Sequence, residues 1–201
     1  MNHLAHLALA GDEPALLVGA FLGDFIKGRL ESRFPPDIER GIHLHRAIDA
    51  FTDSHPNVRE SSKRFEPPYR RYSGIILDVV FDFLLAKSWS TYYATDLEAY
   101  SHSVLSTLIE HSQHLPAQAE TMARRMHEAN SLAAHGEERF LRYSLTRLSS
   151  RLSRDNPLDT AYEYCTNRLD HLDADFHEFY PLLQDFCDEW KQQHPSGTIN
   201  L

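Results

Sequence analysis

The stretch GIILDVVFDFLLAKSW, Gly74–Trp89, decides the fold of this 201-residue chain. Between Ile75 and Ala86 every residue is apolar except Asp78 and Asp82. The run has no turn signal at either end and its apolar side chains cover the whole circumference of a helix, which predicts a buried helix. The two carboxylates lie one helical turn apart, with about 5–6 Å between their Cβ atoms. An ionised, unpaired carboxylate in the core is strongly unfavourable, so we expect a positive partner, either a divalent metal ion or a buried arginine.

Composition and charge indicate one helical domain over residues 1–201. The chain has only 8 Gly, and no segment alternates apolar and polar residues for long enough to predict a sheet. A net charge of −9 argues against nucleic-acid binding. The N-terminal region lacks the basic segment of a signal peptide, charged residues and Pro14 interrupt its apolar stretch, and the two cysteines form no disulfide framework. These features predict a cytoplasmic protein without a membrane span.

Caps and prolines predict where the helices begin and end. Asp12 is the expected N-cap of the second helix, Thr95 of the helix after the buried one, and Asn156 of the last helix, which Pro181 is expected to kink or split. The predicted helices cover residues 3–10, 12–26, 36–55, the buried helix, 95–112, 116–133, 137–153 and the segment from 157 onward. The helices of residues 95–193 are expected to pack around a site built from residues 1–90.

Polar side chains interrupt the apolar faces of four helices, all within residues 1–90. His45, Asp49 and Asp53 repeat at every fourth position, so they form a ladder along one helix face. The residues predicted to face inward are His6, Asp24, His45, Asp49, Asp53, Asp78 and Asp82. Imidazole and carboxylate ligands together suit Mg²⁺, Mn²⁺, Fe²⁺ or Zn²⁺, and the excess of carboxylates favours Mn²⁺ or Mg²⁺. The alternative interpretation is that these residues are hydrogen-bonded within the core or paired with Arg40 and Arg46.

Other metal and hydrolase scaffolds are excluded by missing motifs. The chain contains no E-x-x-H, as ferritin-like di-iron bundles require, and no H-E-x-x-H of a zincin. It also lacks a P-loop and a G-x-S-x-G nucleophile elbow.

Five segments in order resemble the acyl carrier protein phosphodiesterase family. They are MNHLAHLALA, GDFIKG, GIHLHRAIDAFTDSHP, LDVVFDFLLAKSW and ADFHEFYP, which span Met1 to about Pro181. The resemblance implies an all-α fold like that of a divergent HD-domain phosphohydrolase, although this chain contains no His-Asp dipeptide. It also implies Mn²⁺-dependent cleavage of the phosphodiester in holo acyl carrier protein, with apo acyl carrier protein and 4′-phosphopantetheine as products.

The resemblance carries over to the seven inward-facing residues and adds two basic positions, Arg46 and Lys27. Phe83 stands where many relatives have His, so position 83 is left out of the site. On this basis the expected ligands of Mn²⁺, or of Mg²⁺ or Fe²⁺, are His6, Asp24, His45, Asp49 and Asp82. The expected catalytic residues are Asp53, Asp78, Arg46 and Lys27, of which the two basic ones would bind phosphate oxygens.

The implied partner raises a question of charge. Acyl carrier proteins are strongly acidic and this chain is also acidic, so docking needs a local basic patch. The expected docking residues are Arg139, Arg142, Arg147, Arg151 and Arg154; the alternative is that they form an ordinary solvated face. Two other functions stay open on the sequence alone. One is an HD-like phosphohydrolase of a nucleotide or another small phosphodiester, and the other is a non-catalytic helical binding protein.

Overall fold

The computed structural model describes residues 1–197, which form helices and turns with no strand among them. This confirms the predicted all-α class. The α-helices are α1 (His3–Ala10), α2 (Pro14–Leu22), α3 (Pro36–Ser54), α4 (Pro56–Lys63), α5 (Ser73–Lys87), α6 (Trp89–Tyr92), α7 (Leu97–Glu110), α8 (Ala117–Glu128), α9 (Glu138–Arg151), α10 (Ala161–Thr166) and α11 (Leu169–Gln193). Short 3₁₀ helices cover Tyr69–Tyr72, Ser112–His114, Ala133–Gly136 and Leu158–Thr160.

Helix α5 is the buried helix that the sequence predicts. Most of its residues are buried, and the exceptions include Gly74 and Ile75 in its first turn. It packs against α1, α4, α9 and α11 and against the 3₁₀ helix Ala133–Gly136. A continuous apolar core therefore surrounds α5 and joins the N-terminal helices to α11.

Helices α2 and α3 approach each other more closely than ordinary side chains allow. A Cβ on Gly19 would lie 2.1 Å from the carbonyl oxygen of Ile38, and a Cβ on Gly41 would lie 2.4 Å from the carbonyl oxygen of Leu16. Only glycine fits at these two positions, because any Cβ would force the two backbones apart. The contact brings the C-terminal end of α2 against the middle of α3, where the polar ladder begins.

Several helix ends differ from the sequence prediction. The N-cap of α7 is Asp96 rather than Thr95, because its carboxylate accepts the N–H groups of Glu98 and Ala99. Helix α2 ends at Leu22, so Asp24 lies in the turn that follows it. The last predicted helix is divided into a 3₁₀ turn, α10 and α11, whereas Pro181 lies inside an uninterrupted α11.

The described part of the chain has no helix that could cross a bilayer. Within residues 1–197 no helix combines the necessary length with sufficiently apolar composition.

Candidate metal centre

Helices α1 and α3 bring together three side chains that could hold a divalent metal ion: His6, His45 and Asp49. One ligand atom from each lies within 4.8 Å of the others. The His6 Nε2 atom is 3.1 Å from one carboxylate oxygen of Asp49, and the His45 Nε2 atom is 3.3 Å from the other. Two imidazole nitrogens therefore face one carboxylate, which is a donor set typical of transition-metal sites.

The hydrogen bond of His45 fixes which nitrogen is free to bind a metal ion. Its Nδ1 atom lies 2.8 Å from the carbonyl oxygen of Ala20, so Nδ1–H donates to that carbonyl. In the neutral ring the Nε2 lone pair then faces Asp49 and, at 3.8 Å, Asp24. A proton on Nε2, or a metal ion between these groups, supplies the positive charge that the two carboxylates require. A backbone carbonyl that holds the far nitrogen is also the usual arrangement around metal-ligating histidines.

The His6 imidazole is buried and held by stacking on His45. Their ring centroids are 3.8 Å apart, with 13° between the ring planes. The Nδ1 atom of His6 is buried and has no hydrogen-bond partner among the described residues. Burial lowers the pKa of His6 to about 4, although the contact with Asp49 acts in the opposite direction. His6 is therefore neutral at pH 7, which is the form that binds metal ions.

Asp24 lies at the open side of this cluster and links it to His3. One of its oxygens is 3.8 Å from Nε2 of His45, and the other is 3.1 Å from Nδ1 of His3. Burial would raise the pKa of Asp24, but the contact with His3 and the nearby imidazoles outweigh this and lower it. The pKa of Asp49 is likewise lowered, because the contacts with His45 and His6 outweigh the effect of burial. Both carboxylates are therefore ionised, which suits binding of a cation.

Gly23 makes room for the ring of His45. A Cβ at this position would lie 2.1 Å from Cγ and 2.5 Å from Nδ1 of the imidazole. The ring therefore rests directly on the backbone at the end of α2, next to Asp24. Substitution of Gly23 by any other residue would displace the ring, because a Cβ atom cannot be accommodated this close to another heavy atom.

The two carboxylates of α5 have other partners. Both oxygens of Asp82, which is fully buried, accept backbone N–H groups at the start of α1, from Asn2, Leu4 and Ala5. Asp78 is half-exposed and accepts a hydrogen bond from the Met1 amino group at 2.6 Å. The partner of this pair is thus mainly the N-terminal end of α1, where N–H groups and the helix dipole favour an anion, and Nε2 of His135 also lies 3.8 Å from Asp82.

The remaining predicted residues lie around the cluster rather than in it. Asp53 is exposed one turn beyond Asp49, and Lys27 is exposed as well. Arg46 is half-buried, and its guanidinium donates to the carbonyl oxygen of Ile26 at 3.1 Å. Among the described residues, His6, His45 and Asp49 form the group of ligand atoms within 4.8 Å of one another, with Asp24 beside them, and Asp53, Asp78 and Asp82 contribute no atom to it.

His3 is the residue next to this cluster that sequence reasoning missed. It is half-buried and lies three positions before His6, so both imidazoles project from the same side of α1. The three-residue spacing between His3 and His6 could have identified His3 from the sequence. The contact of His3 with Asp24 depends on the turn after α2, which the helix pattern does not predict.

The family model that matches this chain and two curated relatives carry the same description. The family model for acyl carrier protein phosphodiesterase matches residues 1–183. A curated acyl carrier protein phosphodiesterase from Escherichia coli is 32% identical over 189 residues, which cover 92% of this chain and 96% of the relative. The acyl carrier protein phosphodiesterase of Photorhabdus laumondii subsp. laumondii is 30% identical over 186 residues, which cover 92% of this chain and 94% of the relative. No solved structure matches the chain.

Proposed function

The chain belongs to the acyl carrier protein phosphodiesterase family, and from this premise we propose that it hydrolyses holo acyl carrier protein to apo acyl carrier protein and 4′-phosphopantetheine. The observation that carries the proposal is the group formed by the buried imidazoles of His6 and His45 with the half-exposed carboxylate of Asp49. A cluster with these donors suits phosphodiester hydrolysis, which requires charge neutralisation at phosphorus and an activated water.

The ion that we propose for this group is Mn²⁺, with Mg²⁺ and Fe²⁺ as the alternatives. The proposed ligands are His6, His45 and Asp49, completed by Asp24, whose carboxylate lies on the open side of the cluster. Two imidazoles and two carboxylates form a mixed donor set that accepts Mn²⁺ and Fe²⁺ readily, whereas Mg²⁺ prefers oxygen ligands alone. When bound, such an ion neutralises a phosphoryl oxygen and lowers the pKa of its water.

The chain itself orients these donors. The carbonyl of Ala20 holds Nδ1–H of His45, and the stacked ring of His6 is fixed between that imidazole and the core. We assign a positioning role to Asp82, because its hydrogen bonds to the first turn of α1 fix the helix that carries His6. Asp78 supports the same end of α1 through Met1.

The basic and acidic residues at the edge of the cluster complete the proposal. Arg46 and Lys27 lie near the turn after α2 and would bind the non-bridging phosphate oxygens. The exposed carboxylate of Asp53, one turn from Asp49, would orient water at the open side.

Docking of the acidic carrier protein is assigned to Arg147 and Arg151 on α9. Among residues 1–197 neither arginine pairs with a carboxylate within 4.0 Å, and both side chains are exposed. Of the other arginines in the predicted patch, Arg139 pairs with Glu137 and Arg142 with Glu163, so their charges are already compensated. Arg154 lies beside Arg71 in a separate small pocket. An acidic partner would gain most from the two uncompensated charges.

A mass measurement tests the proposed activity. Holo acyl carrier protein is incubated with the full chain and Mn²⁺, and loss of the 4′-phosphopantetheine mass is expected. His45→Ala, which removes one imidazole, should abolish the conversion. Intact holo carrier protein after incubation with folded, Mn²⁺-loaded chain would refute the proposed substrate. Cleavage of a small phosphodiester alone would favour the nucleotide or small-diester alternative, and absence of any bound divalent ion would favour the binding protein.

A further inference from the structure

A groove of about 730 Å³ runs between α8 and α9 and ends at the start of α1. We call it the α8–α9 groove. Its volume falls in the range of ligand-binding sites. The lining residues that matter for the argument are Met122 and Met126 from α8, Ser144 and Leu148 from α9, and Asn2 and His3 from the start of α1.

One continuous face of α8 and one continuous face of α9 line the groove. On α9 the lining residues begin at Phe140 and end at Arg151, which at 1.5 Å per residue is a length of about 16 Å. On α8 they begin at Gln118 and continue at helical spacing to the end of the helix. An elongated ligand lying along the helices would contact both faces for several turns.

The end of the groove meets the metal centre through His3. This side chain lines the groove and also contacts Asp24 at 3.1 Å. Arg151, in the last turn of α9, lines the same groove as His3, so this end of the groove lies beside the cluster.

The lining combines apolar surface, neutral polar groups and uncompensated positive charge. Met122, Met126 and Leu148 provide apolar surface, and Ser144 is one of several hydroxyl and amide groups between them. Three lining arginines have no carboxylate within 4.0 Å among residues 1–197, whereas arginines facing away from the groove on the same two helices are paired. The unpaired ones are Arg125, Arg147 and Arg151, and the paired ones are Arg124, Arg139 and Arg142.

We propose that the α8–α9 groove holds the pantetheine arm of holo acyl carrier protein, with its phosphodiester at the His3 end. This inference rests on the proposed function. The arm is a narrow chain that carries two amides, a hydroxyl and a dimethyl group and ends in a thiol, so it needs both polar and apolar contacts along its length. The uncompensated arginines at the edge of the groove match the negative phosphodiester and the acidic protein from which the arm extends.

Filling the groove with a bulky side chain tests the proposal. Ser144→Trp places an indole in the groove, and Ser150→Trp is the matched control, because Ser150 is exposed on α9 outside the groove. We expect Ser144→Trp to raise KM for holo carrier protein about tenfold or more and the control to leave KM unchanged. Thr121→Trp, on the exposed edge of α8, repeats the test if Ser144→Trp does not fold, with Thr146→Trp as its control.

Calorimetric titrations of the Mn²⁺-loaded full chain separate the groove from the activity. Free 4′-phosphopantetheine should bind the wild type, and the groove-filling variants should weaken that binding about tenfold or more. Apo carrier protein, which lacks the arm, should bind wild type and variants equally well. Unchanged 4′-phosphopantetheine binding in folded variants would overturn the proposal, as would an equal loss of apo carrier binding, which would assign the groove to the protein surface. If wild type binds 4′-phosphopantetheine in the groove but does not cleave holo carrier protein, the proposed function fails and the groove assignment stands.

Discussion

The imidazole rings of His6 and His45 stack on each other with 3.8 Å between their centroids, although the two residues are 39 positions apart in the sequence. Both rings direct Nε2 to the same carboxylate, that of Asp49. The ring of His45 is fixed by the carbonyl of Ala20 in α2, and the ring of His6 is fixed by stacking on His45. The cluster is therefore preorganised, and changes in the backbone that supports the rings should affect metal binding as strongly as changes in the ligands.

Gly23→Ala should weaken metal binding without touching a ligand. The added Cβ would lie 2.1 Å from Cγ of His45, so the ring must leave the carbonyl of Ala20. Losing a hydrogen bond that orients a metal ligand typically costs about 10–100-fold in affinity or activity. Titration with Mn²⁺ followed by activity measurement checks this. Gly74→Ala is the control, since a Cβ there meets nothing within 4 Å; equal Mn²⁺ affinity in wild type and folded Gly23→Ala would contradict the argument.

Asp49→Ala and Asp53→Ala should differ in their effect on metal binding, although the two carboxylates have equivalent positions in the sequence pattern. Asp49 belongs to the cluster, whereas Asp53 is exposed one turn further along α3. At 100 times its Kd, a bound ion stabilises the folded state by ~2.7 kcal/mol, which for a chain of this size corresponds to a rise in Tm of about 5–10 °C. We expect Mn²⁺ to raise the Tm of wild type and Asp53→Ala, but not that of Asp49→Ala. Thermal melts with and without Mn²⁺ measure this difference. Loss of the Tm shift in both variants would contradict the assignment of Asp49, but not Asp53, to the cluster.

The sequence predicts the fold class and most of the cluster because both depend on helical periodicity. His45 and Asp49 are one turn apart on the face of α3 that packs against the neighbouring helices, and His6 interrupts the apolar face of α1. These relations follow from 3.6 residues per turn. The same ladder includes Asp53, which is exposed in the structure. Periodicity assigns a face to a residue but does not show how far along the helix its neighbours extend.

Asp78 and Asp82 in α5 show that the pattern of one helix does not identify the partners of its side chains on other helices. Buried position and charge correctly indicate that Asp82 needs a positive partner, yet its partner is the N-terminal turn of α1, almost 80 residues away. The N–H groups at a helix start are present in any sequence, so no residue type marks them. The pairing of Arg142 with Glu163 is similar, because it depends on the relative placement of two helices.

Removing the carboxylate of Asp82 should destabilise the protein strongly. In Asp82→Ala, the N–H groups of Asn2, Leu4 and Ala5 lose their shared acceptor in a buried environment. Each buried unsatisfied donor costs about 1–3 kcal/mol, so we expect a loss of at least ~3 kcal/mol in the free energy of unfolding. Asp53→Ala, at an exposed site on α3, should cost clearly less. Urea denaturation of the metal-free proteins measures both, and similar losses for the two variants would show that Asp82 does not have this role.

The metal-free protein should lose stability when the pH falls from 6.5 towards 4. Burial lowers the pKa of His6 from 6.5 to about 4, so in this interval the unfolded chain binds a proton that the folded chain does not. Above pH 6.5 His6 is neutral in both the folded and the unfolded chain, so it does not reduce stability. As the pH falls towards 4, its protonation in the unfolded chain lowers the free energy of unfolding by about 3 kcal/mol in total. In His6→Leu, which cannot titrate, this part of the slope should vanish. Denaturant unfolding at several pH values in EDTA compares the two proteins, and parallel pH profiles would disprove the assignment.

Charge reversal on α8 and α9 should distinguish a local docking patch from a general effect of net charge. Arg147→Glu with Arg151→Glu reverses two uncompensated charges beside the groove, whereas Arg124→Glu with Arg139→Glu changes the net charge equally at arginines that already have carboxylate partners. If Arg147 and Arg151 meet the acidic carrier protein, the first double variant should raise KM for holo carrier protein by about 10–100-fold and reduce its dependence on salt. The second should change KM much less, because those side chains point away from the groove. Both double variants should keep the Mn²⁺-dependent rise in Tm, since neither pair contacts the cluster. Equal effects of the two double variants on KM would mean that only long-range repulsion between two acidic proteins is at work, and the docking assignment would then be wrong.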